Sequence, residues 1–163
     1  MRRQIVAVAV VALSFQFSTT LMEACGAKFL VATGSVFWQR SQRTTHPANI
    51  LLYQHSRDKD VVEFTAKLGA MLKEMGHSVT VADGEAALRA GSRGKFTVVM
   101  LKLDEARRLK PVIASGLPKA SILPMDVFLK QPELTVARQE FGQILNLPAT
   151  PKDVFSTVDT AYR

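Results

Sequence analysis

Three histidines and one cysteine are the groups in this chain best suited to acid–base, nucleophilic or metal chemistry: His46, His55, His77 and Cys25. His55 stands close before Asp58 and could act as a general base, and His77 offers a second imidazole. Neither is accompanied by a Ser or Cys nucleophile in a GxSxG setting, so a small hydrolase built on them lacks its attacking group. A zinc site needs several convergent nitrogen or sulfur ligands, and the chain has neither an HxxxH nor a CxxC spacing. A single cysteine rules out an internal disulfide. Gly91-Ser92-Arg93-Gly94-Lys95 has the composition of a phosphate loop without its GxxxxGK[ST] spacing. It also precedes a strand instead of joining a strand to a helix, so it reads as a turn. No catalytic residue, metal or cofactor is expected.

The elements that must position these groups become legible from Asn49 onward, where short apolar runs alternate with segments of helical period. That alternation predicts parallel βαβ units. Ile50–Tyr53 is a first strand. Asp60-Val61-Val62-Glu63 matches a capping box and opens a helix whose apolar stripe is Val61, Phe64, Leu68, Met71, Leu72 and Met75, ended by Gly76. His77–Val81 is a second, edge-like strand, and Asp83-Gly84-Glu85 turns into a brief helix ended by Gly91. Lys95–Leu101 is the most continuous apolar strand and belongs at the sheet centre. A weak helix over Glu105–Leu109 stops before Pro111. Ser121–Met125 is a fourth strand, with Pro124 placed at a strand end or bulge because it has no N–H to give. Pro132, Val136 and Phe141 mark a fourth helix, and Gln143–Leu147 a fifth strand. Thr150-Pro151-Lys152-Asp153 combines a cap, a proline at the first helical position and an acid facing the positive helix end; Val154, Phe155, Val158 and Ala161 form the buried side of that last helix.

At 163 residues, 47% of them hydrophobic, the chain is sized for one domain with an adequate core. The formal net charge of +7 permits a basic polyanion- or membrane-surface-binding protein using Arg89, Arg93, Lys95, Lys102, Arg107, Arg108 and Lys110. Asp104 and Glu105 precede Arg107 and Arg108, however, which reads as a mixed solvated face, and nucleic acid is not expected as a partner.

The N-terminus reads as a targeting segment. Met1-Arg2-Arg3-Gln4 is basic, Ile5–Phe17 is almost unbroken apolar sequence, and Ser18-Thr19-Thr20 is polar. The apolar run falls short of the roughly 20 residues a membrane-spanning helix needs. Ala24 before Cys25 resembles a lipoprotein cleavage box, making Cys25 a candidate lipid attachment site, although Met22 and Glu23 depart from that pattern. The expected organisation is a signal peptide or N-terminal anchor over 1–25, a linker over 26–48 and a domain over 49–163. Lys28–Ala32 could be an edge strand or the tail of an anchor. Trp38–Thr45 is basic through Arg40 and Arg43 and reads as a tether that could also approach an anionic membrane.

Five strands with intervening helices, closing on Leu147-Pro148 and Pro151-Lys152-Asp153-Val154-Phe155, resemble the receiver (CheY-like) domain of response regulators over about residues 48–163. The resemblance implies a flavodoxin-like, doubly wound α/β fold with a five-stranded parallel sheet in the order 2-1-3-4-5 and a site at the carboxyl ends of the strands. Receivers use an acidic pair after the first strand to hold Mg²⁺, an Asp ending the third strand to accept a phosphoryl group, a Thr or Ser ending the fourth, and a Lys before Pro after the fifth. In this chain the corresponding positions are Gln54 and His55, Lys102, Met125 beside Pro124, and Leu147 before Pro148. An amine at Lys102 cannot be a carboxylate nucleophile, so aspartyl phosphate is not expected there. Its ammonium could instead supply the fixed positive charge that a receiver takes from its metal ion.

The resemblance therefore implies a degenerate receiver, or pseudo-receiver: a non-catalytic signalling or protein-interaction module that binds a protein partner or a second copy. Receivers pair through the face of the fourth helix, fifth strand and fifth helix, so Arg138, Asn146, Lys152 and Asp153 are the implied contact residues. The N-terminal layout places the domain outside the cytoplasm, in a periplasm or at a membrane face.

Overall fold

The computed structural model describes residues 43–91 and 94–162. The export signal, the Cys25 lipid site and most of the linker lie outside the described residues, as do Ser92, Arg93 and Arg163. Strands β1 (Asn49–Gln54), β2 (Ser78–Asp83), β3 (Val98–Lys102), β4 (Ser121–Val127) and β5 (Leu145–Leu147) alternate with helices α1 (Lys59–Glu74), α2 (Gly84–Gly91), α3 (Leu103–Gly116), α4 (Gln131–Phe141) and α5 (Pro151–Ala161). Every strand pairing is parallel and the order is β2-β1-β3-β4-β5, the flavodoxin-like α/β arrangement expected from the sequence.

The two-residue period of the central strands splits the core in two. Ile50, Leu52, Val98, Met100 and Leu123 face α1 and α5, where Leu68, Leu72, Val154 and Val158 meet them. Leu51, Tyr53, Val99 and Leu101 face α2 and α3, against Leu88, Ala106, Leu109 and Ile113. A strand buried on both faces needs an unbroken apolar run, which β1 and β3 supply. A smaller cluster of Leu103, Leu134, Ala137 and Ile144 seats α4.

Four local expectations change. The α1 cap position is Asp58, without a side-chain cap bond, and no capping box forms at Asp60. Glu63 instead reaches forward to the Lys67 ammonium at 2.6 Å. No loop separates β2 from α2, because Gly84 takes φ 80°, a conformation that glycine adopts without a Cβ penalty. Pro111 lies inside α3, leaving the Arg107 carbonyl without its usual helical donor; burial of Ala106, Leu109 and Ile113 on both sides of it holds the helix together. Pro124 lies inside β4, paired in register with Leu101. It is tolerated because β5 pairs with β4 only from Met125 onward, so there is no ladder to interrupt on that side. Helix α4 forms where Pro132, Val136 and Phe141 mark it; it buries Leu134 and Ala137 and leaves Val136 53% exposed, since adjacent helical residues point about 100° apart.

Candidate functional site

Parallel pairing brings the carboxyl ends of β1, β3 and β4 to one rim, the place where ligands bind in open α/β sheets. Gln54 closes β1 and is buried, while His55, the next residue, is exposed. Lys102 closes β3 opposite Met125 and is also the cap residue of α3, so strand passes to helix with no intervening loop. Its side chain makes no cap bond and is 41% exposed, with Nζ 3.6 Å from Asp104 Oδ2. An ammonium at the positive end of a helix is unfavourable, and Asp104 and Glu105 in the first turn offset it. Asp104 belongs to the helix and not to the strand end, so no carboxylate ends β3.

His55, Lys102 and Met125 converge on one cleft, together with Tyr53, Phe64 and Asp126. Its interior volume is about 20 Å³, room for roughly one water. Gln54 is not among the cleft residues, and Leu147 packs in the core on the α1/α5 face ahead of a cis Leu147–Pro148 peptide. Met125 belongs to the same core cluster as Leu147. The sequence reading missed Asp126, because ending the fourth strand at Pro124 and Met125 hid its last residues. An acid within the apolar stretch 121–128 was the signal that could have found it. Asp126 Oδ1 accepts from the Val127 N–H at 2.8 Å. A hard divalent cation takes six or more oxygen ligands or waters, whereas this cleft brings one carboxylate against an ammonium and an imidazole; the donor set does not fit such an ion.

Beside the cleft, Tyr53 meets an ionic cluster that ties α2 to α3. Arg108 bonds Glu105 at 2.6 Å and Glu85 at 2.9 Å, and Arg89 bonds Glu85 at 2.6 Å. The two carboxylates, Glu105 foremost, hold the Arg108 guanidinium more firmly protonated than usual. Arg89 and then Arg108 hold Glu85 below the ordinary carboxylate range. Burial, reinforced by Glu105, pushes the Tyr53 phenol up. Arg107 pairs with Glu140 at 3.0 Å, and Lys110 sits 4.8 Å from the centre of the Phe141 ring. The cations considered for polyanion binding are thus largely engaged within the domain.

Asn146 and Asp153 have internal tasks on the α4–β5–α5 face. Asn146 accepts from the Leu129 N–H at 3.0 Å, and Asp153 completes a capping box with Thr150. Arg138 and Lys152 on the same face are exposed and lack an ion pair among the described residues. The histidines do not converge. His55 makes no hydrogen bond to Asp58 among the described residues, and His77 lies buried at the opposite end of the sheet, before β2. There Nδ1 accepts from the Ala48 N–H at 3.1 Å, and Nε2 finds no partner among the described residues. Gly94 donates to the Gly91 carbonyl at 2.7 Å.

No group of three or more His, Cys, Asp or Glu that could hold a metal occurs among the described residues, and none of their helices is long and apolar enough to cross a membrane. No family model matches the chain, and no curated protein does.

Proposed function

We propose that this domain is a pseudo-receiver: an exported, non-catalytic signalling or protein-interaction module whose receiver-type site has given up phosphoryl transfer. The reading is carried by Lys102, an amine at the end of the central strand where a receiver needs a carboxylate nucleophile. Further support comes from Gln54 and His55, which cannot act as two anionic oxygen ligands at neutral pH. The basic start, apolar run and polar exit of the first 20 residues support export. Export is consistent with the loss, because ATP and the kinases that would supply phosphate are cytoplasmic. Its partner is a protein or a second copy of the chain, met in a periplasm or at a membrane face.

Incubation of the full chain and of Lys102→Asp with a labelled small-molecule phosphodonor and Mg²⁺ tests this reading. Neither protein is expected to take up label. Labelling of the unmodified chain on a carboxylate overturns the proposal, whereas labelling of Lys102→Asp alone reduces the loss to that one residue.

A further inference from the structure

A groove of about 360 Å³ opens next to the cleft, between the first turn of α3 and the β4–α4 connection. Leu129, Pro132 and Val136 supply apolar surface, while Asp104, Asp126 and Glu133 supply carboxylates. The cations nearby are already committed, Lys102 toward Asp104 at 3.6 Å and Arg107 to Glu140 at 3.0 Å. Asp126 and Glu133 have no ion pair among the described residues. A chain of net charge +7 therefore has an acidic, partly apolar recess.

The connection that carries Leu129 into this groove has an unusual backbone. Phe128, in the β4–α4 connection, is 65% exposed and has φ 54°, a backbone region that bulky residues avoid. Its N–H donates to the Leu147 carbonyl at 2.8 Å, and the Asn146 side chain holds the Leu129 N–H at 3.0 Å. These bonds fix the backbone that presents Asp126 and Leu129 to the groove, where Val136 is 53% exposed. Apolar groups next to carboxylates without an ion pair suit a ligand of opposite pattern.

We infer that this groove docks a basic segment of a partner protein, one bulky apolar side chain resting on Leu129, Pro132 and Val136 with flanking Lys or Arg groups on Asp126 and Glu133. The inference rests on the reading of the domain as an interaction module and adds the place and the chemistry of the contact. The carboxylates repel polyanions and anionic lipid surfaces, which leaves a cationic peptide as the matching occupant.

Two short peptides with a central Leu-Trp pair, one flanked by Lys and Arg and the other by Asp and Glu, are titrated into the isotope-labelled full chain. The basic peptide is expected to shift the amides of Leu103, Leu129 and Val136, with a dissociation constant on the order of micromolar that weakens about tenfold from roughly 50 to 500 mM salt. The acidic peptide leaves them unmoved. Asp126→Asn with Glu133→Gln weakens the basic peptide about tenfold, and Val136→Lys at this exposed position removes its binding. Equal binding of both peptides, shifts confined to another face, or unchanged affinity in the double variant overturns the inference. Tighter peptide binding after Phe37→Ser and Trp38→Ser assigns the groove to the chain's own basic segment, and a chain dimer dissolved by the peptide assigns it to a second copy; either result also overturns a partner as occupant. A partner crosslinked elsewhere, with no peptide shift, removes the groove and leaves the interaction module standing. Peptide binding together with carboxylate phosphorylation does the reverse.

Discussion

The Lys102 ammonium lies 3.6 Å from the Asp104 carboxylate across the junction where β3 becomes α3. One residue thereby ends the central strand, caps a helix without a cap bond and occupies the carboxyl rim of the sheet. Because both partners are substantially exposed, the pair contributes little to stability, about 0–1 kcal/mol.

Lys102→Asp is therefore expected to fold and to gain stability. An Asp at the cap position can accept from the free N–H groups of the first turn, worth about 0.5–1 kcal/mol after some repulsion from Asp104. Urea unfolding checks this through a higher midpoint with an unchanged slope; a lower midpoint contradicts the assignment of Lys102 as an uncapped N-cap.

The capping box of α5 predicts a loss of the opposite sign. Thr150 Oγ1 accepts from the Asp153 N–H at 3.2 Å, and Asp153 Oδ2 accepts from the Thr150 N–H at 3.0 Å. Thr150→Ala removes half of this exchange and should destabilise the domain by about 1 kcal/mol. Thermal or urea unfolding reads the change, which should be largely absent in Thr150→Ser.

Tyr53 should ionise above its usual range because it is buried and faces Glu105. Arg108 acts in the other direction, so Arg108→Ala should raise the Tyr53 transition further. Ultraviolet titration of Tyr162→Phe isolates Tyr53, since the chain has 2 tyrosines. An unchanged transition in Arg108→Ala would show that the ionic cluster does not reach the phenol.

The pH dependence of stability between about pH 7.5 and 5.5 should come in part from His77. Burial lowers its affinity for a proton in the folded state, and Asp159 only partly counteracts this. The unfolded chain then binds more protons, so the contribution is full above the unfolded value and is lost as pH falls below it toward the lowered folded value. Glu63, Glu85 and Asp153 are held below the ordinary carboxylate range and lose their contributions only at more acidic pH. His77→Gln should flatten the upper part of the curve, as measured by urea unfolding across that range; an unchanged slope removes His77 from the account.

The parts of the fold visible in the sequence are those whose causes are local. Val98–Leu101 had to be a central strand because only burial on both faces accommodates such a run, and the end of that run located Lys102. Thr150, Pro151 and Asp153 marked a helix start by chemistry confined to one turn. The misplaced features depend on neighbours. Pro124 taken alone points to a strand end or bulge, because its tolerance inside β4 depends on where β5 begins, and a strand stopping at Met125 leaves Asp126 out. Pro111 taken alone signals a helix stop, and it lies inside α3 because that helix is held by packing on the sheet. The contact of Glu85 with Arg108 joins groups 23 residues apart and follows from the docking of α2 against α3.

The claim that phosphoryl chemistry has left this rim is tested most directly by adding beryllium fluoride and Mg²⁺ to the full chain and following fluorine resonances, since the adduct mimics a phosphoryl group on an aspartate. The account predicts no saturable uptake and no amide shifts at Lys102 or Asp126. Stoichiometric, magnesium-dependent uptake with shifts at those residues would contradict it.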